Sequence, residues 1–140
     1  MGANDADEGG AEETPIVVVD ADPASRNLAE DLEDEFDRQV IAIDSTDFDT
    51  ESSEEILNST LVIISWDLGI RSGADLLEEL RCNPRLSGKT LLVALERPTR
   101  TIVRQAMLLG ADGICCKPYD ADEIRERLET IEARRGSRAA

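Results

Sequence analysis

A chain of 140 residues, 41% hydrophobic with only four aromatics, builds one domain around an aliphatic core of Val, Ile, Leu and Ala. That mix suits a parallel sheet covered by helices. The net charge of −16 repels nucleic acid and anionic membranes. With no histidine, and Cys82, Cys115 and Cys116 forming no CxxC pair, His-based catalysis, zinc sites and thioredoxin-like sites are excluded.

The charge is uneven. Residues 1–55 hold 19 of the 31 acids with only Arg26 and Arg38, while the remainder is nearly balanced. Arginine outnumbers lysine 13 to 2. With so many acids, this points to a high-salt host, where charge repulsion is screened, or to a GC-rich coding bias with an acidic tail. Short apolar runs and an acidic start leave no signal peptide and no membrane span, so a cytoplasmic protein is expected.

In chain order, residues 1–14 are acidic and Gly-rich and read as a disordered tail. "PIVVVD" is a strand buried on both faces, ending at Asp20. Asp22-Pro23 starts a helix, with an Asp cap before a proline at its first position. Leu28, Leu32 and Phe36 form its buried stripe, and Glu30, Asp31, Glu33, Asp34 and Glu35 its wet face. "QVIAI" (39–43) is a second strand, and "SEEILN" (53–58) the one helical stretch in a polar segment.

"TLVIIS" (60–65) is the third strand. "GADLLEELRCN" (73–83) is a helix with Leu76, Leu77 and Leu80 on one side, stopped by Pro84. "TLLVAL" (90–95) is a fourth strand, and residues 99–110 a fourth helix closed by Gly110. "GICC" (113–116) is a fifth strand, where Cys115 and Cys116 are expected as buried, structural thiols. Residues 120–135 form the last helix, capped by Asp120 and burying Ile124, Leu128 and Ile131. The tail after it should fray. Alternating strands and helices argue an α/β fold, doubly wound, with function at the loops following the strands.

Three stretches carry a resemblance: "VVVDADPASRNL", "SWDLGIRSGADLLEELR" and "MLLGADGICCKPYDADEI". Over residues 15–134 the chain resembles the receiver domain of two-component response regulators. The resemblance implies a five-stranded parallel sheet of flavodoxin-like order 2-1-3-4-5 with five flanking helices. It also implies phosphoryl transfer from a histidine kinase to an aspartate after the third strand. That chemistry uses two acids for Mg²⁺, a hydroxyl after the fourth strand and a lysine before a proline.

Asp20 and Lys117 match that pattern. The second acid position holds Ala21. Counting eight residues back from Gly73 places Ser65 at the acceptor, and 22 back from Lys117 places Leu95 at the hydroxyl. The switch aromatic falls on Ile114. Four losses together imply a degenerate pseudo-receiver without Mg²⁺ or other cofactor, not an enzyme.

The alternative is a working single-domain regulator phosphorylated at Asp67, with weak Mg²⁺ at Asp20 and Asp67. Otherwise Asp67 or Asp20 pairs with Lys117, which would be costly to bury alone. A Ser65–Lys117 nucleophile would need an oxyanion site and a cleft, neither of which can be named.

Function then moves to the outer face of the fourth helix, fifth strand and fifth helix, with Arg97, Arg100, Arg104, Arg125 and Arg127. No output domain follows residue 135, so a stand-alone adaptor is expected, a monomer or weak homodimer. Its partners would be a histidine kinase, another regulator or a localisation complex, with no nucleic acid and no membrane insertion.

Overall fold

Continuous aliphatic runs become strands with no wet face. β1 (Ile16–Asp20), β3 (Leu61–Ser65) and β4 (Thr90–Leu95) are buried at every position. β2 (Val40–Asp44) and β5 (Gly113–Cys116) are only partly buried, because they form the edges. All five pair in parallel in the order β2-β1-β3-β4-β5, the flavodoxin-like order expected. This is a computed structural model describing residues 14–45, 54–68 and 71–139, with the backbone alone at 71 and 136–139. The expected tail therefore lies, Thr14 apart, outside the described residues, as does most of the polar stretch before residue 54.

The helices are α1 (Pro23–Asp31), α2 (Glu54–Leu57), α3 (Gly73–Cys82), α4 (Arg100–Leu108) and α5 (Ala121–Ala139). Their starts follow from side-chain caps. Asp22 accepts from the Ala24 amide, Ser72 from Asp75, Thr99 from Ile102 and Asp120 from Glu123. Gly110 ends the fourth helix at φ 116°, where a Cβ would be strained.

Side chains alternate across each strand, so one sheet has two cores. Val17, Val19, Val62, Ile64, Leu91 and Val93 face one way, onto Ile56 of α2, Leu76, Leu77 and Leu80 of α3, and Ala106 of α4. Ile16, Val18, Ile63, Leu92 and Cys115 face the other way, onto Ala29 of α1 and Ile124 and Ile131 of α5. Crossovers on both sides make the sheet doubly wound.

Four local features differ from the sequence reading. The first helix breaks at Leu32 (φ −80°, ψ −4°), and a separate one-turn helix, Glu33–Phe36, follows it. Like charges at Glu30, Asp31, Glu33, Asp34 and Glu35 repel one another there, and the chain leaves through Asp37 in a left-handed conformation. The last helix continues to Ala139, past the expected end at Arg135, because Gly136 disfavours but does not stop a helix.

Cys116 is partly exposed, unlike buried Cys115, since successive residues of an edge strand face opposite sides. The third strand ends at Ser65. Asp67–Leu68 and Arg71–Ser72 pair antiparallel in a small ribbon that periodicity does not reveal.

Candidate functional site

The carboxyl ends of β1, β3 and β5 bring Asp20, Ser65 and Lys117 together. Lys117 Nζ lies 2.9 Å from Asp20 Oδ2, with the two side chains only 8% and 1% exposed. The same ammonium lies 3.3 Å from Ser65 Oγ, which donates onward to the Asp67 carbonyl at 3.2 Å. The Tyr119 hydroxyl donates to Asp20 Oδ2 at 2.7 Å, and the Asp22 amide to Asp20 Oδ1 at 3.0 Å. Asp20 thus holds three donors on two oxygens, close to the capacity of a carboxylate.

Lys117 is fixed by its place at the end of β5, where its amide donates to the Leu95 carbonyl at 2.8 Å. Its ammonium also sits 5.9 Å from the centre of the Tyr119 ring. Tyr119 is buried, and burial together with the facing Asp20 carboxylate pushes its phenol well above the ordinary range. A phenol held neutral remains a donor to Asp20. Arg26 completes the wall, donating to the Asp20 carbonyl at 2.9 Å and pairing with Asp44 at 3.6 Å.

Gly73 ties the site to α3. Its amide donates to the Trp66 carbonyl at 2.8 Å, and a Cβ there would lie 2.5 Å from the Ser65 carbonyl oxygen. Only glycine allows that approach. Ser65, counted from Gly73, therefore does lie against it in space. Leu95 is buried in the core, and Ile114 is partly buried against it.

Ala21 is partly exposed beside Asp20 and offers no oxygen on its side chain. Asp67 is exposed and stands opposite Ser72 in the ribbon. The sequence alternatives of Asp67 or Asp20 as partner of Lys117 resolve to Asp20.

These residues do not fit a Mg²⁺ ion, which takes one or two carboxylates and keeps several waters. Asp20 is already engaged by Lys117 and Tyr119, the Ala21 side chain offers no oxygen, and among the described residues no three His, Cys, Asp or Glu side chains gather as a metal-holding group. The Lys117 Nζ that donates to Ser65 is paired at the same time with Asp20.

Two thiols lie nearby on β5. Burial pushes Cys115 up to about 12, and burial followed by the Glu123 carboxylate raises Cys116, so neither is an activated thiolate.

The arginine face splits in two. Arg97, Arg100 and Arg104 are exposed, and Arg100 and Arg104 flank Leu108, a leucine 81% exposed on the outside of α4. Arg127 lines a cavity of about 430 Å³ between α4 and α5 with Val103, Met107, Ile114 and Cys116. Arg125 does not join them. Its guanidinium donates to the Glu35 carbonyl at 2.6 Å and stacks 5.8 Å from the Phe36 ring centre, on the α1 side. Two residues turn a helix by about 200°, so positions 125 and 127 look in opposite directions.

Tyr119 and Arg26 are the site residues that sequence reasoning missed. The aromatic after Lys117-Pro118 was the available signal for the tyrosine. Its contact with Asp20, 99 positions away, was not.

The fold is the five-stranded, all-parallel, flavodoxin-like one seen in receiver domains. The chain is similar to the "Probable chemotaxis protein CheY" of Rhizobium etli, 23% identical over 124 residues that span 86% of this chain and 94% of that protein. Its fold matches chemotaxis protein CheY4 of Vibrio cholerae with a TM-score of 0.70 at 11% identity, covering 85% and 98% of the two chains. A two-component response regulator from Clostridium difficile matches with a TM-score of 0.69 at 14% identity, covering 87% and 98%. No family model matches the chain.

Proposed function

We propose that this chain is a receiver-like signalling module that docks onto partner proteins and is not switched by phosphoryl transfer. The observation that carries this reading is the engagement of Asp20 by Lys117, Tyr119 and the Asp22 amide. A receiver that transfers phosphate keeps this carboxylate for metal, and Ser65, where the acceptor falls, has no carboxylate to phosphorylate. No cofactor is required.

The docking surface is the α4–β5–α5 side, where Met107 and Leu108 are the exposed large hydrophobics among the described residues, Leu108 beside Arg100 and Arg104 and Met107 in the cavity lined by Arg127, with Arg97 exposed before α4. Apolar anchors with arginine neighbours are the composition of a protein interface. The fitting partner is a histidine kinase, another regulator or a localisation complex presenting an acidic rim, bound by a monomer or weak dimer. No catalytic turnover and no nucleic acid is involved.

The test is amide NMR of the protein with Mg²⁺ and beryllofluoride. The expected result is no saturable shift at Asp20, Ser65, Asp67 or Lys117. Saturable shifts there would overturn the reading in favour of a regulator phosphorylated at Asp67. A second measurement captures histidine kinases on the immobilised protein, and Arg100→Glu with Arg104→Glu should abolish that capture.

A further inference from the structure

The amino ends of β3 and β4 frame a cavity of about 440 Å³ on the far side of the sheet from Asp20. Arg38, Arg85, Lys89 and Arg135 line it, against one carboxylate, Glu132. In a chain of net charge −16, this is a concentration of cations placed against the trend. The walls add the hydroxyls of Ser59, Thr60 and Thr90 and the apolar sides of Leu61 and Leu128.

Lys89 is held by neutral groups that orient it without cancelling its charge, and Arg135 is paired with a carboxylate that it has to share. Lys89 Nζ donates to the carbonyls of Leu57 at 3.0 Å and Ser59 at 2.6 Å. Burial lowers the proton affinity of that amine, a penalty that a neighbouring anion would relieve. Arg135 donates to Thr90 Oγ1 at 2.8 Å and reaches Asp112, which it shares with Arg81. Arg85 is exposed at the rim.

Thr14 also stands at this rim. Arg38 donates to its carbonyl at 3.1 Å, and its hydroxyl lies 2.9 Å from that of Thr60, a lining residue. The residues immediately before it, 1–13, contain Asp5, Asp7, Glu8, Glu12 and Glu13 and no lysine or arginine. Thirteen residues span up to about 45 Å when extended, so every one of these acids is within reach of the cavity. Attachment at the rim sets an effective concentration of the order of millimolar. The acidic surface of α1 and the turn after it repels the same segment.

We propose that this cavity is a carboxylate-binding site whose occupant is the acidic segment 1–13 of the same chain, received by Arg85, Lys89 and Arg135. The segment then shields the amino end of the sheet from other anions. This function is separate from the α4–β5–α5 docking surface, and its failure leaves that reading untouched.

The test compares the full chain with a full-chain variant carrying Asp5→Asn, Asp7→Asn, Glu8→Gln, Glu12→Gln and Glu13→Gln, using amide NMR at low salt. Gly88, Lys89 and Thr90 should shift between the two forms, and the difference should vanish in high salt and in an Arg85→Glu background. Pyrophosphate should reach half-saturation at those amides at about fivefold lower concentration in the neutralised variant, because its competitor is gone. Unchanged amides at 88–90, or an equal pyrophosphate response in both proteins, would overturn the proposal. So would equal binding of a free peptide of residues 1–13 to both, since that marks a cavity open to acidic ligands from outside.

Discussion

At the carboxyl ends of the strands one buried lysine meets one buried carboxylate, and Tyr119 and the Asp22 amide also donate to Asp20. At the amino ends, about 17 Å away along five strand residues, four cations line a cavity with a single acid. The two ends use the same strands and opposite electrostatics. A charge whose partner lies inside the fold has little left to offer a ligand. Lys89, oriented by two carbonyls, keeps its attraction for an anion. In this chain the end that resembles a catalytic pocket is the one whose buried charges are paired with each other.

Removing one partner at each end is the strongest way to break the comparison. Lys117→Met strands the Asp20 carboxylate in a site where its side chain is 1% exposed, and should cost about 3–5 kcal/mol in urea unfolding. Adding Asp20→Asn should recover part of that loss, because the stranded charge is then gone. Lys89→Met removes the donor of two carbonyls but leaves no buried ion, so its cost should be about 1–2 kcal/mol. Equal losses at the two positions would contradict the distinction.

Tyr119→Phe deletes a hydroxyl bonded to a charged acceptor and should destabilise by about 1.5–3 kcal/mol. It should also change the alkaline limit. Tyr119 and Cys115 hold their protons more tightly folded than their reference values of 10.0 and 9.0. Their contribution to stability is therefore complete below about pH 9 and declines as pH rises further. Urea midpoints measured from pH 8 to 11 should fall for the wild type, and less steeply for Tyr119→Phe. The smallest effect belongs to Arg85→Glu, an exposed rim substitution that should alter stability by no more than about 0.5 kcal/mol while weakening anion binding.

Much of the fold was legible because strand and helix leave periodic or continuous apolar marks. Thr90–Leu95 and Gly113–Cys116 have the limits their aliphatic runs suggest, and the caps at Asp22 and Asp120 form where small polar residues precede helical stripes. The ribbon around Asp67 was not legible. Two-residue strands are too short to show a period, and their pairing depends on where Trp66 and Gly73 meet. The helix break at Leu32 was hidden in the same way, because the Leu28–Leu32–Phe36 stripe continues through it.

The candidate site was partly legible. Asp20, Ser65 and Lys117 could be placed by counting from Gly73 and Lys117, and the approach of Gly73 to the Ser65 carbonyl gives the first of those intervals a physical meaning. Arg125 could be counted among the docking arginines from its position in the chain. Its contact with Glu35 and Phe36 depends on which side of α5 meets α1.

By itself, the order of residues determined the α/β alternation, the two apolar faces of each central strand and the absence of a carboxylate at positions 21 and 65. These are local properties, written in periodicity and residue type. Tertiary structure alone decided that Tyr119 rather than a second acid completes Asp20, that Asp67 leaves the sheet, and that scattered cations converge at the amino edge. Each depends on residues from separate elements meeting at one end of a parallel sheet, and that meeting is set by packing on both faces.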